Sequence, residues 1–154
     1  MEQSPVLAFD WGTTIMGVLD VNSNTYKAYR YKEQMIEASK MLINCDGTII
    51  SFSQNDRDLK EIAKLLGINN IDLLQINSTH NNMAPIVTNI RWPPRDGESG
   101  IIGTNLEANY EHYFQGIVPT TPDGLTDSYE ISNWYDCYIV AELWKKWKQG
   151  QLKA

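Results

Sequence analysis

Apolar and polar positions alternate in two periods along the chain. The apolar run Val6-Leu7-Ala8-Phe9 ends on Asp10 and predicts a strand within Pro5–Thr14. A second strand is expected over Ile15–Val21, a turn at Asn22–Asn24 and a third strand over Thr25–Tyr31. The period then changes. Met35, Ala38, Met41 and Leu42 fall at helical spacing and predict a helix over Lys32–Leu42, closed by Cys45-Asp46-Gly47. A fourth strand is expected over Thr48–Ser53. Asn55 or Asp56 is placed to cap a second helix carrying Leu59, Ile62, Ala63 and Leu66 on one stripe, with Gly67 at its stop. From His80 to Pro122 the periodicity fades, with Trp92-Pro93-Pro94 and Asp96-Gly97 marking an irregular segment that holds one short helix, Leu106–Phe114. In the last helix, Tyr129–Gln149, Asp136, Val140, Leu143 and Trp147 share a face.

Strands that begin as a meander and then alternate with helices predict an α/β layer fold with a mixed sheet. At 154 residues, 42% of them apolar, the chain is long enough for one domain with a substantial core. A net charge of −6 argues against a broad basic surface of the kind that grips duplex DNA, so any nucleic-acid contact has to be local or assisted by metal. Cys45 and Cys137 have no CxxC or Cys/His spacing and are expected to be reduced, buried thiols. The absence of a basic, then apolar leader and of any long apolar run leads to the expectation of a cytoplasmic protein with no membrane contact.

Three carboxylates stand out. Asp136 shares its helical stripe with Val140, Leu143 and Trp147, where an ionised group costs several kcal/mol, roughly, unless a cation neutralises it. Asp10 ends an apolar strand, where open α/β sheets place their ligand crevices. It also suits a cap for the turn Gly12-Thr13-Thr14. Asp58 occupies the first turn of the second helix, where it suits either the helix dipole or a ligand set. Clustered carboxylates with few cations nearby point to a hard divalent metal.

Phe9-Asp10-Trp11-Gly12-Thr13-Thr14 resembles the first motif, F-D-x-E-T-T, of the DEDD 3′–5′ exonucleases of the ribonuclease H-like superfamily. Phe52-Ser53-Gln54-Asn55-Asp56-Arg57-Asp58 is similar to that family's second motif, F-N-G-x-x-F-D, and Ile71-Asp72-Leu73-Leu74 to the I-D-L-L that often follows it. Ser132-Asn133-Trp134-Tyr135-Asp136 looks like the third, Y-N-x-x-D. The resemblance implies a ribonuclease H-like three-layer fold with a central mixed five-stranded sheet flanked by helices. It also implies a metal-dependent nuclease with Asp10, Asp58 and Asp136 as catalytic residues and as ligands of two Mg²⁺ or Mn²⁺ ions. Such ions, about 3.5–4 Å apart, activate water and stabilise the leaving oxygen. The implied partner is single-stranded DNA or RNA.

Two positions depart from the family pattern: its motif-one Glu is Gly12 and its water-orienting Tyr or His is Ser132. The alternative reading is therefore a catalytically inactive ribonuclease H-like binding or assembly subunit, with a protein partner or a second copy. Other ribonuclease H-like nucleases take a glutamate from the first helix, which makes Glu37, then Glu33, the candidate replacement. Asp10-Trp11-Gly12-Thr13-Thr14 also looks like the phosphate turn of actin-like ATPases and sugar kinases, which need two such domains, and like the opening of crossover-junction resolvases. Trp134, Trp144 and Trp147 with Lys145, Lys146, Lys148 and Lys153 make an aromatic and basic end suited either to stacking on bases or to ordinary packing. Trp92-Pro93-Pro94-Arg95 reads as a rigid surface loop or a short partner-binding segment. His80 and His112 carry no recognisable pattern.

Overall fold

The computed structural model describes residues 4–88, 106–115, 117 and 119–152. Its strands are β1 (Val6–Trp11), β2 (Met16–Asp20), β3 (Thr25–Tyr29), β4 (Thr48–Ser51) and β5 (Thr79–Asn82). Its helices are α1 (Lys32–Ile43), α2 (Arg57–Leu65), α3 (Met83–Thr88), α4 (Leu106–Tyr113) and α5 (Ser128–Lys148). The strands form one sheet in the order β3-β2-β1-β4-β5. Its first three strands are the expected antiparallel meander, with Ala8 opposite Leu19 and Asp10 opposite Gly17. β4 and β5 join in parallel, Ala8 facing Ile50 and Ser51 facing Asn82. The protein is thus α/β, with a five-stranded mixed sheet flanked by helices.

Side chains alternate across each strand, so one strand feeds two cores. Leu7, Phe9, Met16, Val18 and Ile49 face α1 and α2, where Met35, Ala38, Leu42 and Ile62 cover them. Ala8, Leu19 and Ile50 face the opposite way and are covered by Met83 of α3 and by Trp134, Cys137, Val140 and Leu143 of α5. Because β1 keeps this parity to its end, Asp10 belongs to the α5 face. The stripe on α5 buries Val140 and Leu143 and packs Trp147 against the same cluster. Both cysteines are buried free thiols.

The sequence pattern missed β5 and α3. Thr79-His80-Asn81-Asn82 has no apolar alternation, because β5 is an edge strand with its polar side chains bonded locally. His80 Nε2 and Ser51 Oγ lie 2.8 Å apart, and His80 packs near the Phe9 ring. The cap of α2 also differs from expectation. Asp56 occupies the capping position with a left-handed backbone, φ 55°, but its side chain makes no capping bond. Ser53 Oγ accepts the Asp58 N–H instead, at 3.2 Å. At the other end of the fold Asp127 caps α5, accepting from the N–H groups of Tyr129 and Glu130, and Arg30 ties it to the end of the meander at 2.8 Å. Among the described residues no helix is long and apolar enough to cross a membrane.

Candidate functional site

The site forms where β1 runs out beneath the first half of α5. Opposite Asp10, β2 carries Gly17, and the missing side chain lets α5 come close enough for Asn133 to occupy that space. Asn133 Nδ2 donates to the Asp10 backbone carbonyl at 3.3 Å and to Asp10 Oδ2 at 3.2 Å, while its Oδ1 accepts from the Tyr26 hydroxyl at 2.7 Å. Buried and bonded on both sides, Asn133 fixes the Asp10 carboxylate. Asp136 is three residues further along α5, on the same helical face, and its side chain hydrogen-bonds that of Asp10.

Asp58 comes from the opposite layer. It is 0% exposed, at the start of α2, and accepts from the Trp11 N–H at 3.4 Å and from Arg57 Nη2 at 3.3 Å. The turn that delivers it is held by Asn82. That side chain accepts from the Ser53 and Ala84 N–H groups, both at 3.1 Å, and donates to the Ser53 carbonyl at 2.9 Å and to Asp56 Oδ1 at 2.7 Å. These bonds hold Asn55 and Asp56 at φ 53° and 55°, a left-handed conformation that side chains disfavour.

Above the carboxylates lies an open cleft of about 500 Å³, lined by Asp10, Asp136, Glu107 and Arg57 together with Phe52 and Gln54. The electrostatics follow from this crowding. Burial, then Asp136, then Asp58 raises the Asp10 carboxyl, to about 8. Burial and the neighbouring Glu107 raise Asp136 as well. Asp10 thus retains its proton to the higher pH of the two and donates it to Asp136. Burial pushes Asp58 up to about 6, against the lowering effect of the Trp11 N–H and Arg57.

Asp10 and Asp136 are therefore brought into contact, with Asp58 close enough to raise both of them but turned toward Trp11 and Arg57. Among the described residues no three His, Cys, Asp or Glu side chains surround a common point suited to a metal ion. The chemistry of the donors nevertheless fits a hard cation: hard carboxylate oxygens side by side at an open cleft, which repel one another once the shared proton is lost. Glu107 is the acid that the sequence pattern missed. It opens a short helix far from every motif, and only tertiary folding sets it at the cleft.

Glu33 and Glu37 do not reach this site. They lie on α1, across the sheet from Asp10, and Glu37 is 73% exposed beside Lys40. Gly12 closes the turn after β1, its N–H donating to the Ile15 carbonyl at 2.9 Å. A β-carbon at position 12 would lie 2.8 Å from that oxygen, so this turn has no room for the family's glutamate. Ser132 is exposed on α5. In the aromatic and basic end, Trp134 is buried and Trp144 and Trp147 pack on the core. Its lysines are engaged locally: Lys145 pairs with Glu142 at 3.0 Å and Lys146 lies over the Phe114 ring. That arrangement suits packing better than base stacking. Trp92-Pro93-Pro94-Arg95 and Lys153 lie outside the described residues, as does the side chain of His112. No protein-family model, curated protein or solved structure matches the chain.

Proposed function

We propose that the protein is a ribonuclease H-like domain whose cleft binds a divalent cation, Mg²⁺ or Mn²⁺, and hydrolyses phosphodiester bonds of single-stranded nucleic acid. The observation that carries this reading is the contact between Asp10 and Asp136, two half-buried or buried acids from elements 126 residues apart in sequence, facing an open cleft. Packing alone gives no reason to pair them, since the charge of Asp136 raises the proton affinity of Asp10 and burial disfavours the ionised form of both. The strand order and the motif-like segments around Asp10, Asp58 and Asp136 support the same reading. Asp10 and Asp136 would hold the cation, with Asp58 as the third acid behind them. A bound divalent ion supplies Lewis-acid activation of water and of the phosphoryl oxygen. The protein's own part is to hold Asp10 through Asn133, to present Asp136 from the same helix and to set Arg57 at the cleft as a cation for phosphate.

A second reading, a non-catalytic nucleic-acid-binding relative, is favoured by the Arg57–Asp58 pair together with Gly12. Arg57 supplies part of the neutralisation that a second metal provides in the two-metal scheme. One assay separates the two. The protein is incubated with 5′-labelled single-stranded DNA and RNA plus Mn²⁺, beside Asp136→Asn. Cutting above that control is expected; binding without any cutting would establish the non-catalytic reading in its place.

A further inference from the structure

Beside the carboxylate cleft, on the outer side of α2, is a second cavity of about 460 Å³. Its wall carries Arg57, Lys60 and Lys64, with the amides of Gln54, Asn69 and Asn70. The three cations stand at i, i+3 and i+7, so they form one stripe along the helix. Arg57 and Gln54 line both cavities, so the two depressions share a wall. Lys60 is exposed, and Lys64, 67% exposed, meets Glu61 at 3.3 Å, a contact that leaves it open to solvent and to other anions.

We propose that this groove is the track for the phosphate backbone of single-stranded nucleic acid, leading the strand past Arg57 into the acid cleft. The inference rests on the nucleic-acid reading of that cleft. In a chain of net charge −6, three cations on one helical stripe outweigh the single acid of the wall, Glu61, and leave a local positive surface where the strand is needed. From Arg57 to Lys64 the helix rises about 10 Å. At about 3.4 Å per phosphate along a stacked strand, that length serves about three phosphates. The groove has amides, three cations and one carboxylate, Glu61, on its wall but no aromatic ring, so it is suited to gripping backbone rather than stacking bases. Binding there is therefore expected to be insensitive to sequence. A single narrow stripe also favours one strand over a duplex.

The test is equilibrium binding of a fluorescein-labelled single-stranded oligonucleotide by anisotropy, in EDTA and across a salt series. No cleavage is needed, so the result is independent of whether the cleft is catalytic. Lys60→Ala/Lys64→Ala is expected to weaken binding about tenfold at low salt and to flatten the salt slope by about 1.4, about 0.7 for each lost phosphate contact. Lys32→Ala/Lys40→Ala, which removes the same charge from α1, is expected to leave binding as it was. Equal loss in both variants, no loss in either, no binding by the wild type, or equal competition by a polyglutamate peptide would each overturn the inference. Full oligonucleotide binding by the Lys60/Lys64 variant together with Mn²⁺-dependent cutting by the wild type would remove this track and leave the proposed function standing. Loss of binding in that variant with no cutting by the wild type would do the reverse.

Discussion

Asn133 fills the space that a side chain on Gly17 would need. Because Gly17 is the register partner of Asp10, the approach of α5 to the sheet and the placement of the first carboxylate are one event. A methyl group at position 17 would overlap Asn133 and crowd the Tyr26 ring, so Gly17→Ala must push the helix outward or break the Asn133 side-chain bonds to Asp10 and Tyr26. Overpacking of this kind costs about 1–3 kcal/mol, and at about 2–4 °C per kcal/mol for a chain of this size the melting temperature should fall measurably. In an Asn133→Ala background the same change should cost less. Equal cost in both backgrounds would show that the close approach has no part in the effect.

Stability of the metal-free protein should fall as pH rises. The folded carboxyls of Asp10, Asp136 and Asp58 bind protons more tightly than their unfolded counterparts, whose ordinary value is 3.8. Between that value and about 8 the folded state therefore holds more protons, and the unfolding free energy declines with increasing pH. The burial penalty is absent below the unfolded value and complete above the folded one. Melting temperatures in EDTA should be higher at pH 5 than at pH 8.

Divalent cation should reverse that loss. At pH 8, Mg²⁺ or Mn²⁺ is expected to raise the melting temperature; at pH 5, where protons compete for the same oxygens, the rise should shrink. At a cation concentration 100 times its Kd the gain is about 2.7 kcal/mol. An unchanged melting temperature at pH 8 would count directly against a cation site at Asp10 and Asp136.

Asp10→Asn should stabilise the metal-free protein at pH 8 and leave it little changed at pH 5, because an amide keeps a partner for Asn133 without the charge. It should also remove the cation-dependent rise and any nuclease activity. A variant that melts below wild type at pH 8 would show that Asp10 is stabilised as a carboxylate there.

Arg57→Ala takes away the cation next to a fully buried acid. The Asp58 carboxyl should move up further from about 6, visible in a carboxyl-resolved NMR titration. The guanidinium is 63% exposed, so solvent screening holds the stability cost to about 1 kcal/mol or less at pH 8, and it should vanish at pH 5.

Asn82→Ala should loosen the turn that carries Ser53, Asp56 and Asp58. It removes four hydrogen bonds from one side chain and leaves Asn55 and Asp56 to hold their left-handed conformation unaided. A loss of about 1–3 kcal/mol is expected. Asn55→Gly in the same background should recover part of it, because glycine adopts that φ without strain. Urea melts of the three proteins measure both effects.

The amino-acid sequence determined the periodic elements. Leu7 and Phe9 against Ala8, and Met35, Ala38 and Leu42 on one stripe, declare the faces of β1 and α1 because burial acts on each element at its own period. Asp10 and Asp136 were legible as acids beside apolar residues, and Asp58 as an acid in a first helical turn. Tertiary structure decided the rest. β5 has no apolar period to read, since its polar side chains are satisfied by Ser51 and by the turn beyond β4. Whether the acids touch depends on the separation of α5 from the sheet, which Gly17 and Asn133 set jointly from positions 116 residues apart. Glu107 at the cleft and Glu37 on the far side of the sheet follow from where whole helices dock. Such placements arise from long-range packing, and no local spacing along the chain encodes them.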